Sequence, residues 1–203
     1  MRLFLGGCKV EIGFLFVAVI TFSLLIDRTG VAGVGLLATA IHEGGHLVMM
    51  NLYSIPPEKI KMNPFGIDIV EKRGSRHSYQ SDMAIALAGP CANLLFAGIC
   101  IWGSLWIFSD YLFNLGIANL LLAALNILPV EPLDGGQALF SFLCPRFGTE
   151  RSIRLVEFIS FCVVLPLGIM GFLVLLRSRY NFSLLLVSVY LTLLLVLKKG
   201  RWM

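Results

Sequence analysis

Long apolar runs separated by short polar segments dominate the sequence. A helix needs about 20 residues to cross the hydrocarbon core of a bilayer, and most of the runs approach or exceed that length. They predict membrane-spanning helices over residues 11–26, 30–52, 83–108, 112–130, 155–176 and 180–197. The predicted fold is therefore an all-α polytopic membrane protein with about six transmembrane helices.

A different period appears in the polar segment that follows the second run. Apolar and polar residues alternate there on both sides of Asn63-Pro64-Phe65-Gly66, with Ile60, Met62, Ile67 and Ile69 as the apolar set. Period-two alternation around a Pro/Gly turn predicts a small membrane-associated β-hairpin or sheet, with an amphipathic interfacial loop as the alternative. An exposed strand could hold an unwound substrate extended by pairing with it. Asn63 and Gly66 are therefore candidate substrate-binding residues.

Composition excludes an ordinary soluble protein. Hydrophobic residues make up 58% of the chain and charged residues 14%, against about 45 to 50% and about 25% in globular domains. The 203 residues predict a single membrane domain with no room for a second folded module. The five cysteines form no C-x-x-C pair, so no disulfide framework is predicted.

The basic residues predict the orientation of the chain. Arg2 and Lys9 precede the first apolar run, as in a secretory signal, but no small-residue cleavage site follows it, which favours a retained helix. If both termini lie on one side, all but three of the sixteen Lys and Arg residues lie there too. Positive residues favour the cytosolic side. We therefore expect a multi-pass protein of the cell membrane with both termini in the cytosol.

The candidate chemistry lies in the second run, in His42-Glu43-Gly44-Gly45-His46. Histidines four residues apart face the same side of a helix and can share one tetrahedral metal ion. Glu43 can take a proton from water as a general base. The run from Gly30 to Met50 contains no other ionisable residue, and ionisable groups within a membrane span are costly and usually functional. The motif predicts a metalloprotease site within the membrane.

Two glycines inside this motif carry a further prediction. Gly44 and Gly45 each cost about 1 kcal/mol relative to alanine in a helix interior. That cost indicates that the missing side chains are needed for the close approach of a substrate backbone to the metal.

A catalytic zinc ion uses three protein ligands and keeps one position open. The extended pattern H-E-x-x-H-x-x-G-x-x-H fails, because Met49 and Leu52 occupy its last two positions. Solvated charge or loop exposure explains the other downstream candidates, which are Glu58, Glu71 and His77.

Asp134 is the better candidate for the third ligand. It lies in the segment Asn126–Gly136, where two prolines and two glycines end the regular helix. Irregular backbone at membrane depth is tolerated only where it is buried in protein or lines a wet cavity. Asn126 could bind a substrate carbonyl or strand, or it could join two helices. On the third span, Asn93 is expected to form a hydrogen bond between helices.

These stretches together resemble the site-2 protease family of intramembrane zinc metalloproteases, peptidase family M50. The resemblance rests on H-E-x-x-H at His42–His46 and on N-x-x-P-x-x-P-L-D-G-G at Asn126–Gly136. The family's core would correspond to about residues 30–136. The turn at Asn63–Gly66 and the segment Ala88-Gly89-Pro90 with Asn93 are similar to the subgroup that includes the sporulation pro-sigma-factor processing protease.

The resemblance implies one Zn²⁺ per chain held by His42, His46 and Asp134, with Glu43 as the general base. It also implies hydrolysis of membrane-anchored proteins near the cytosolic face, as in sigma-factor or anti-sigma-factor processing. The expected partners are such a substrate and the lipid bilayer, with a regulatory membrane protein as a further candidate and no nucleic acid. The chain has no room for the PDZ or CBS domains of some relatives.

Two alternatives use the same ligands without proteolysis. A membrane metal carrier or sensor would repeat ionisable ligands along several spans, whereas here they concentrate at one depth. An inactive scaffold would have no use for an intact Glu43.

Overall fold

A computed structural model of the protein describes residues 2–5, 8–63, 66–71, 78–178 and 182–197. Within those residues it contains seven helices and four strands. In chain order the elements are β1 (Arg2–Leu5), β2 (Cys8–Ile12), α1 (Phe14–Ile26), α2 (Val31–Leu52), β3 (Pro57–Asn63), β4 (Gly66–Glu71), α3 (Tyr79–Ile107), α4 (Asp110–Ile127), α5 (Asp134–Phe147), α6 (Thr149–Ser178) and α7 (Ser183–Leu197).

Four helices in the described part of the chain are long and apolar enough to cross a membrane, namely α2, α3, α4 and α6. The apolar segments Phe14–Ile26 and Leu184–Leu193 are shorter. Many large apolar side chains on these helices are exposed, as expected where lipid replaces water. The structure therefore supports a mostly helical, multi-pass membrane protein with four candidate spans.

The helices differ from the predicted spans in several boundaries and in one additional helix. Residues 11 and 12 belong to β2, so the first helix begins only at Phe14. Helix α3 begins at Tyr79 because Ser78 and Ser81 form a capping box, in which each hydroxyl accepts the other residue's backbone N–H at 3.1 Å. Helix α5 was not predicted at all, because the prolines and glycines before it mask its start.

The four strands form one sheet in the order β1-β2-β3-β4. Strands β3 and β4 are antiparallel and end at the pair Asn63 and Gly66, which confirms the predicted hairpin; residues 64 and 65 of its turn lie outside the described residues. Strand β2 pairs with β3 in parallel, with Val10 opposite Ile60. The sheet is thus larger than the predicted hairpin, because the first residues of the chain add two strands to it.

On β2, a buried apolar residue alternates with a charged one, and the charged residue forms an ion pair with β3. Val10 is buried, while its neighbour Glu11 binds Lys59 at 2.6 Å and Lys9 at 3.2 Å. The hydrogen bond from Lys59, followed by that from Lys9, lowers the pKa of Glu11 from 4.5 to about 2. Cross-strand pairs of opposite charge stabilise a sheet.

Internal contacts divide the chain into two compact units, Met1–Ser81 with Ala88–Ala124 and Asp82–Leu87 with Leu125–Met203. In the first unit, Val34, Cys100 and Leu115 form a buried cluster of residues from α2, α3 and α4. Asn93 of α3 is fully buried, and its Nδ2 donates to the carbonyl of Ala38 on α2 at 3.5 Å. This bond confirms that Asn93 joins two helices.

The second unit has two apolar clusters. One contains Val130 and Leu133, from the segment between α4 and α5, together with Val164 of α6 and Leu191 of α7. The other contains Phe140 and Cys144 of α5 and Val156 of α6. Helix α6 therefore packs against both α5 and the segment that precedes it.

The lowered pKa of Glu11 predicts how acid affects the sheet. A carboxyl group whose pKa is depressed on folding stabilises the fold above its ordinary pKa, and this contribution is lost as the pH falls through the folded-state pKa. We expect amide protection in β2 and β3 to decrease between pH 4.5 and about pH 2. Hydrogen exchange read by NMR checks this, and in Glu11→Gln protein this part of the pH dependence should disappear. An unchanged pH profile in the variant would contradict the assignment.

Candidate metal centre

Two histidines of α2 are arranged as ligands of one metal ion. His42 and His46 are both buried, and their Nε2 atoms lie 3.2 Å apart. The rings are nearly perpendicular, at 84°, with centroids 4.8 Å apart. Two nitrogens bound about 2.0 to 2.1 Å from a tetrahedral zinc ion lie about 3.3 to 3.4 Å apart. The observed separation therefore fits a shared zinc ion.

The start of α2 is determined by a capping turn. Asp27 accepts hydrogen bonds from the backbone N–H groups of Thr29 at 2.8 Å, Gly30 at 3.1 Å and Ala32 at 2.6 Å. The Thr29 hydroxyl also donates to it at 2.6 Å and, together with these N–H groups, lowers the pKa of the Asp27 carboxyl. Gly30 has the positive φ of 79° that the turn requires. Asp27 thus satisfies N–H groups at the start of α2, and the helix continues without interruption through His42 and His46.

Gly89 of α3 lies directly against the two imidazole rings. A Cβ at this position would lie 2.6 Å from Cε1 of His46 and 2.9 Å from Cε1 of His42, and closer still to Nε2 of His46. Real Cβ contacts are not that short, so any side chain here would have to displace the imidazole rings. In the sequence, Ala88-Gly89-Pro90 indicated only a family resemblance, and the room that Gly89 makes for the two imidazoles was missed. A glycine directly before a proline inside a membrane helix was the available signal.

The two glycines of the motif have different surroundings. A Cβ on Gly45 would lie 2.6 Å from the carbonyl oxygen of Ala88 and 2.8 Å from Cβ of Ala92. Gly45 is thus needed for the approach of α3, and its prediction as a substrate-access residue is wrong. Beside Gly44, no described atom lies within 4 Å of the Cβ position. Open space of this kind is compatible with the approach of a substrate backbone.

Asp134 is the first residue of α5, where the helix dipole favours a negative charge. The chain leaves regular helix between Ile127 and Asp134, as predicted from its prolines and glycines. A Cβ on Gly135 would collide with the carbonyl groups of Ile127 and Leu128. The irregular segment therefore folds tightly onto the first turn of α5, and the carboxylate is half-buried there.

Among the described residues, His42, His46 and Asp134 form one group of metal-ligating side chains. Each offers one ligand atom, and these atoms all lie within 4.8 Å of one another. Two imidazoles and one carboxylate make a donor set consistent with zinc in a catalytic site.

The other predicted site residues have defined places in the fold. Glu43 follows His42 on α2 and is half-buried, and Asn126 lies half-buried in the last turn of α4. Asn63 and Gly66 are the paired residues at the end of the β3–β4 hairpin. Of the rejected candidates, Glu58 is an exposed residue of β3, and His77 lies outside the described residues.

The contact of Gly89 with the imidazoles yields a prediction. In Gly89→Ala protein the new methyl group should displace His46, and the zinc content of the purified protein should fall severalfold. Gly98→Ala is the matched control, because Gly98 lies on the same helix with no described atom within 4 Å of its Cβ position. Metal analysis of the two variants side by side checks this. Equal zinc content in both would show that Gly89 is not needed for the histidine geometry.

The two motif glycines should respond in opposite ways to alanine. Gly45→Ala overpacks the contact with α3 and should cost about 1 to 3 kcal/mol of stability. Gly44→Ala adds helix propensity in open space and should stabilise the protein by up to about 1 kcal/mol. Thermal unfolding of both variants in one detergent measures the difference. A lower melting temperature for Gly44→Ala than for Gly45→Ala would refute this packing scheme.

Comparison with known proteins adds sequence and fold relationships. The model of peptidase family M50 matches residues 104–167. The chain is 26% identical over 163 residues to zinc metalloprotease MJ0392 of Methanocaldococcus jannaschii. This match covers 76% of this chain and 44% of that relative. It is 31% identical over 137 residues to stage IV sporulation protein FB of Bacillus subtilis, covering 66% of this chain and 47% of that protein. The chain thus spans less than half the length of either relative.

The fold also matches that of a solved structure, the site-2 protease from Methanocaldococcus jannaschii. The TM-score is 0.70 at 24% sequence identity, and the match covers 97% of this chain and 94% of that one. At this identity the likeness concerns the fold alone. The chain is thus similar to peptidase family M50 in sequence over residues 104–167 and to a site-2 protease in fold.

Proposed function

We propose that this protein is an intramembrane zinc metalloprotease that hydrolyses peptide bonds of membrane-anchored proteins at or near the cytosolic face. The observation that carries the proposal is the pair of buried imidazoles with Nε2 atoms 3.2 Å apart, directly beside Glu43. Similarity to family M50 over residues 104–167 supports it, as does similarity to a relative from Methanocaldococcus jannaschii that is named a zinc metalloprotease.

In this proposal one zinc ion per chain is held by His42, His46 and Asp134. The group of three ligand atoms within 4.8 Å of one another supports that assignment. When bound, zinc lowers the pKa of water toward about 7 and polarises a carbonyl group. The three residues complete the number of protein ligands that a catalytic zinc site uses, which leaves one position for water or substrate.

Glu43 acts as the general base. Its carboxylate takes the proton of the attacking water and later returns it to the leaving amine, so that the charge on Glu43 is restored at the end of the cycle. Its place on α2, one residue after His42, keeps it beside the metal ligands without making it one of them. The open space beside Gly44 leaves room for the substrate backbone.

The substrate is an unwound, extended segment that pairs with the edge of the sheet. Strand β3 is paired on both sides between Lys59 and Met62, whereas β4 is at one end of the strand order. Addition of a strand to β4, beginning at Gly66, would satisfy the backbone of an unwound substrate. Asn63, at the end of the same hairpin, and Asn126 are proposed to bind substrate polar groups.

The proposed topology has six crossings within a single metalloprotease domain, formed by α1 to α4, α6 and α7, with both termini in the cytosol. Four of these helices satisfy length and apolarity. Helix α1, with 13 residues, is shorter than the about 20 residues of an ordinary span. Local thinning of the bilayer would allow it to cross.

The physiological substrate class is proposed to be a sigma-factor precursor or an anti-sigma factor anchored in the cell membrane, and a regulatory membrane protein is a further proposed partner. The relative from Bacillus subtilis is named a sporulation protein, which supports a role in regulated processing.

Exchange of Glu43 tests the proposal. Purified Glu43→Gln protein should retain zinc and lose cleavage of a single-span substrate by about 10²- to 10⁴-fold, the usual contribution of general acid–base catalysis. Glu150→Gln, the same exchange at an exposed position of α6, should cleave like the wild type. His42→Ala and Asp134→Ala should lose zinc as well as activity.

Cleavage is read on gels with a co-purified candidate substrate in detergent, and zinc by elemental analysis. Full proteolysis by Glu43→Gln would exclude Glu43 as the base. Metal-bound wild-type protein that cleaves no membrane-anchored substrate would favour a metal carrier or sensor instead.

A further inference from the structure

Helix α6 lies outside the predicted catalytic core of about residues 30–136, yet it contacts the segment that leads to Asp134. Val130 and Leu133, from that segment, pack in a buried cluster with Val164 of α6 and Leu191 of α7. Val130 and Leu191 are fully buried. The segment is therefore held from outside the core as well as by its own turns.

Ser160 provides the polar part of this contact. It lies one turn before Val164 on α6, is fully buried, and accepts the backbone N–H of Glu131 at 2.8 Å. Its hydroxyl proton is directed elsewhere, because the same oxygen donates to the carbonyl of Val156 at 2.7 Å. The donation to Val156 orients the lone pairs of Oγ toward the segment.

Two further backbone hydrogen bonds lie within the segment itself. The N–H of Val130 donates to the carbonyl of Leu128 at 2.8 Å, and the N–H of Leu133 donates to the carbonyl of Val130 at 2.8 Å. These turns shape the segment but do not attach it to α6. Ser160 attaches it there by a directional bond, in addition to the apolar contacts.

The attachment reaches Asp134 through close backbone contact. A Cβ on Gly136 would lie 2.8 Å from Cα of Glu131 and would collide with the carbonyl of Val130. The first turn of α5 is thus in direct contact with Val130 and with Glu131, the residue whose N–H binds Ser160. A shift of Glu131 must therefore move the start of α5, where Asp134 is located.

We propose that Ser160 is a positioning residue of the metal centre. By accepting the Glu131 N–H, it holds the segment between α4 and α5, and through Gly136 it determines where Asp134 presents its carboxylate. This inference rests on the proposed role of Asp134 as the third ligand. It assigns to α6, a helix outside the core of about residues 30–136, a part in metal binding.

Removal of the acceptor tests the inference. Ser160→Ala removes the hydroxyl that accepts the N–H of Glu131. We expect binding of Co²⁺, used as the probe in place of zinc, to weaken about tenfold, as for other residues that support metal ligands. The visible absorption spectrum of bound Co²⁺ should change as well, because it reports the geometry of the ligands. Titration of the metal-free, full-length protein in detergent measures both.

Ser152→Ala is the matched control. Ser152 lies on the same helix, is equally buried, and donates to the carbonyl of Gly148 four residues earlier at 2.8 Å, as Ser160 does to Val156. We expect it to keep the affinity and spectrum of the wild type. Ser160→Cys keeps the space filled but offers only a weak acceptor, so it should weaken Co²⁺ binding even if Ser160→Ala fails to fold.

The variant Asp134→Ala tests the ligand role of Asp134 independently of the positioning role of Ser160. If Asp134→Ala loses Co²⁺ while Ser160→Ala and Ser160→Cys bind it as Ser152→Ala does, Ser160 is not a positioning residue and the ligand set stands. If Asp134→Ala binds Co²⁺ with the wild-type affinity and spectrum, both the ligand set and the inference fail. Weakened binding and an altered spectrum confined to the Ser160 variants and Asp134→Ala support both.

Discussion

The architecture depends on bringing ionisable groups into an apolar environment without leaving them in contact with lipid. An ionisable residue within a membrane span is costly unless protein surrounds it and partners satisfy it. His42 and His46 meet this requirement because they are buried and face each other on α2, with Gly89 of α3 directly against their rings. Exposed apolar side chains on the same helices are left to the lipid. The proposed metal site is thus a buried polar centre with a glycine directly against it.

Close backbone approach is the means by which the fold achieves this enclosure. Gly45 allows the carbonyl of Ala88 to lie against α2, and Gly136 allows the chain at Glu131 to lie against α5. In lipid, helices associate through packing and interhelical hydrogen bonds, which favours small residues at their contacts. Exchange of such a glycine therefore affects the position of a ligand rather than the chemistry of the ligand itself.

Sequence reasoning predicted the helices of this protein better than its sheet. The predicted span 30–52 corresponds to α2, and the hairpin around Asn63 and Gly66 is confirmed. Strand β2 was missed because residues 11 and 12 were included in the first predicted span, and because its partner, β3, lies about fifty residues later in the chain. Parallel pairing between distant segments leaves no local pattern, whereas an amphipathic hairpin does.

The sequence by itself determined the membrane setting, the two histidines of α2, the carboxylate of Glu43 beside them and an acid within an irregular segment. Each follows from local spacing, because helical periodicity and the cost of charge in lipid act within a few residues. Only the tertiary structure decided that Gly45 serves packing while Gly44 borders open space, that Gly89 makes room for both imidazoles, and that Ser160 holds the segment before Asp134. These roles depend on which atoms of distant helices come within contact distance, and residue spacing does not encode such distances.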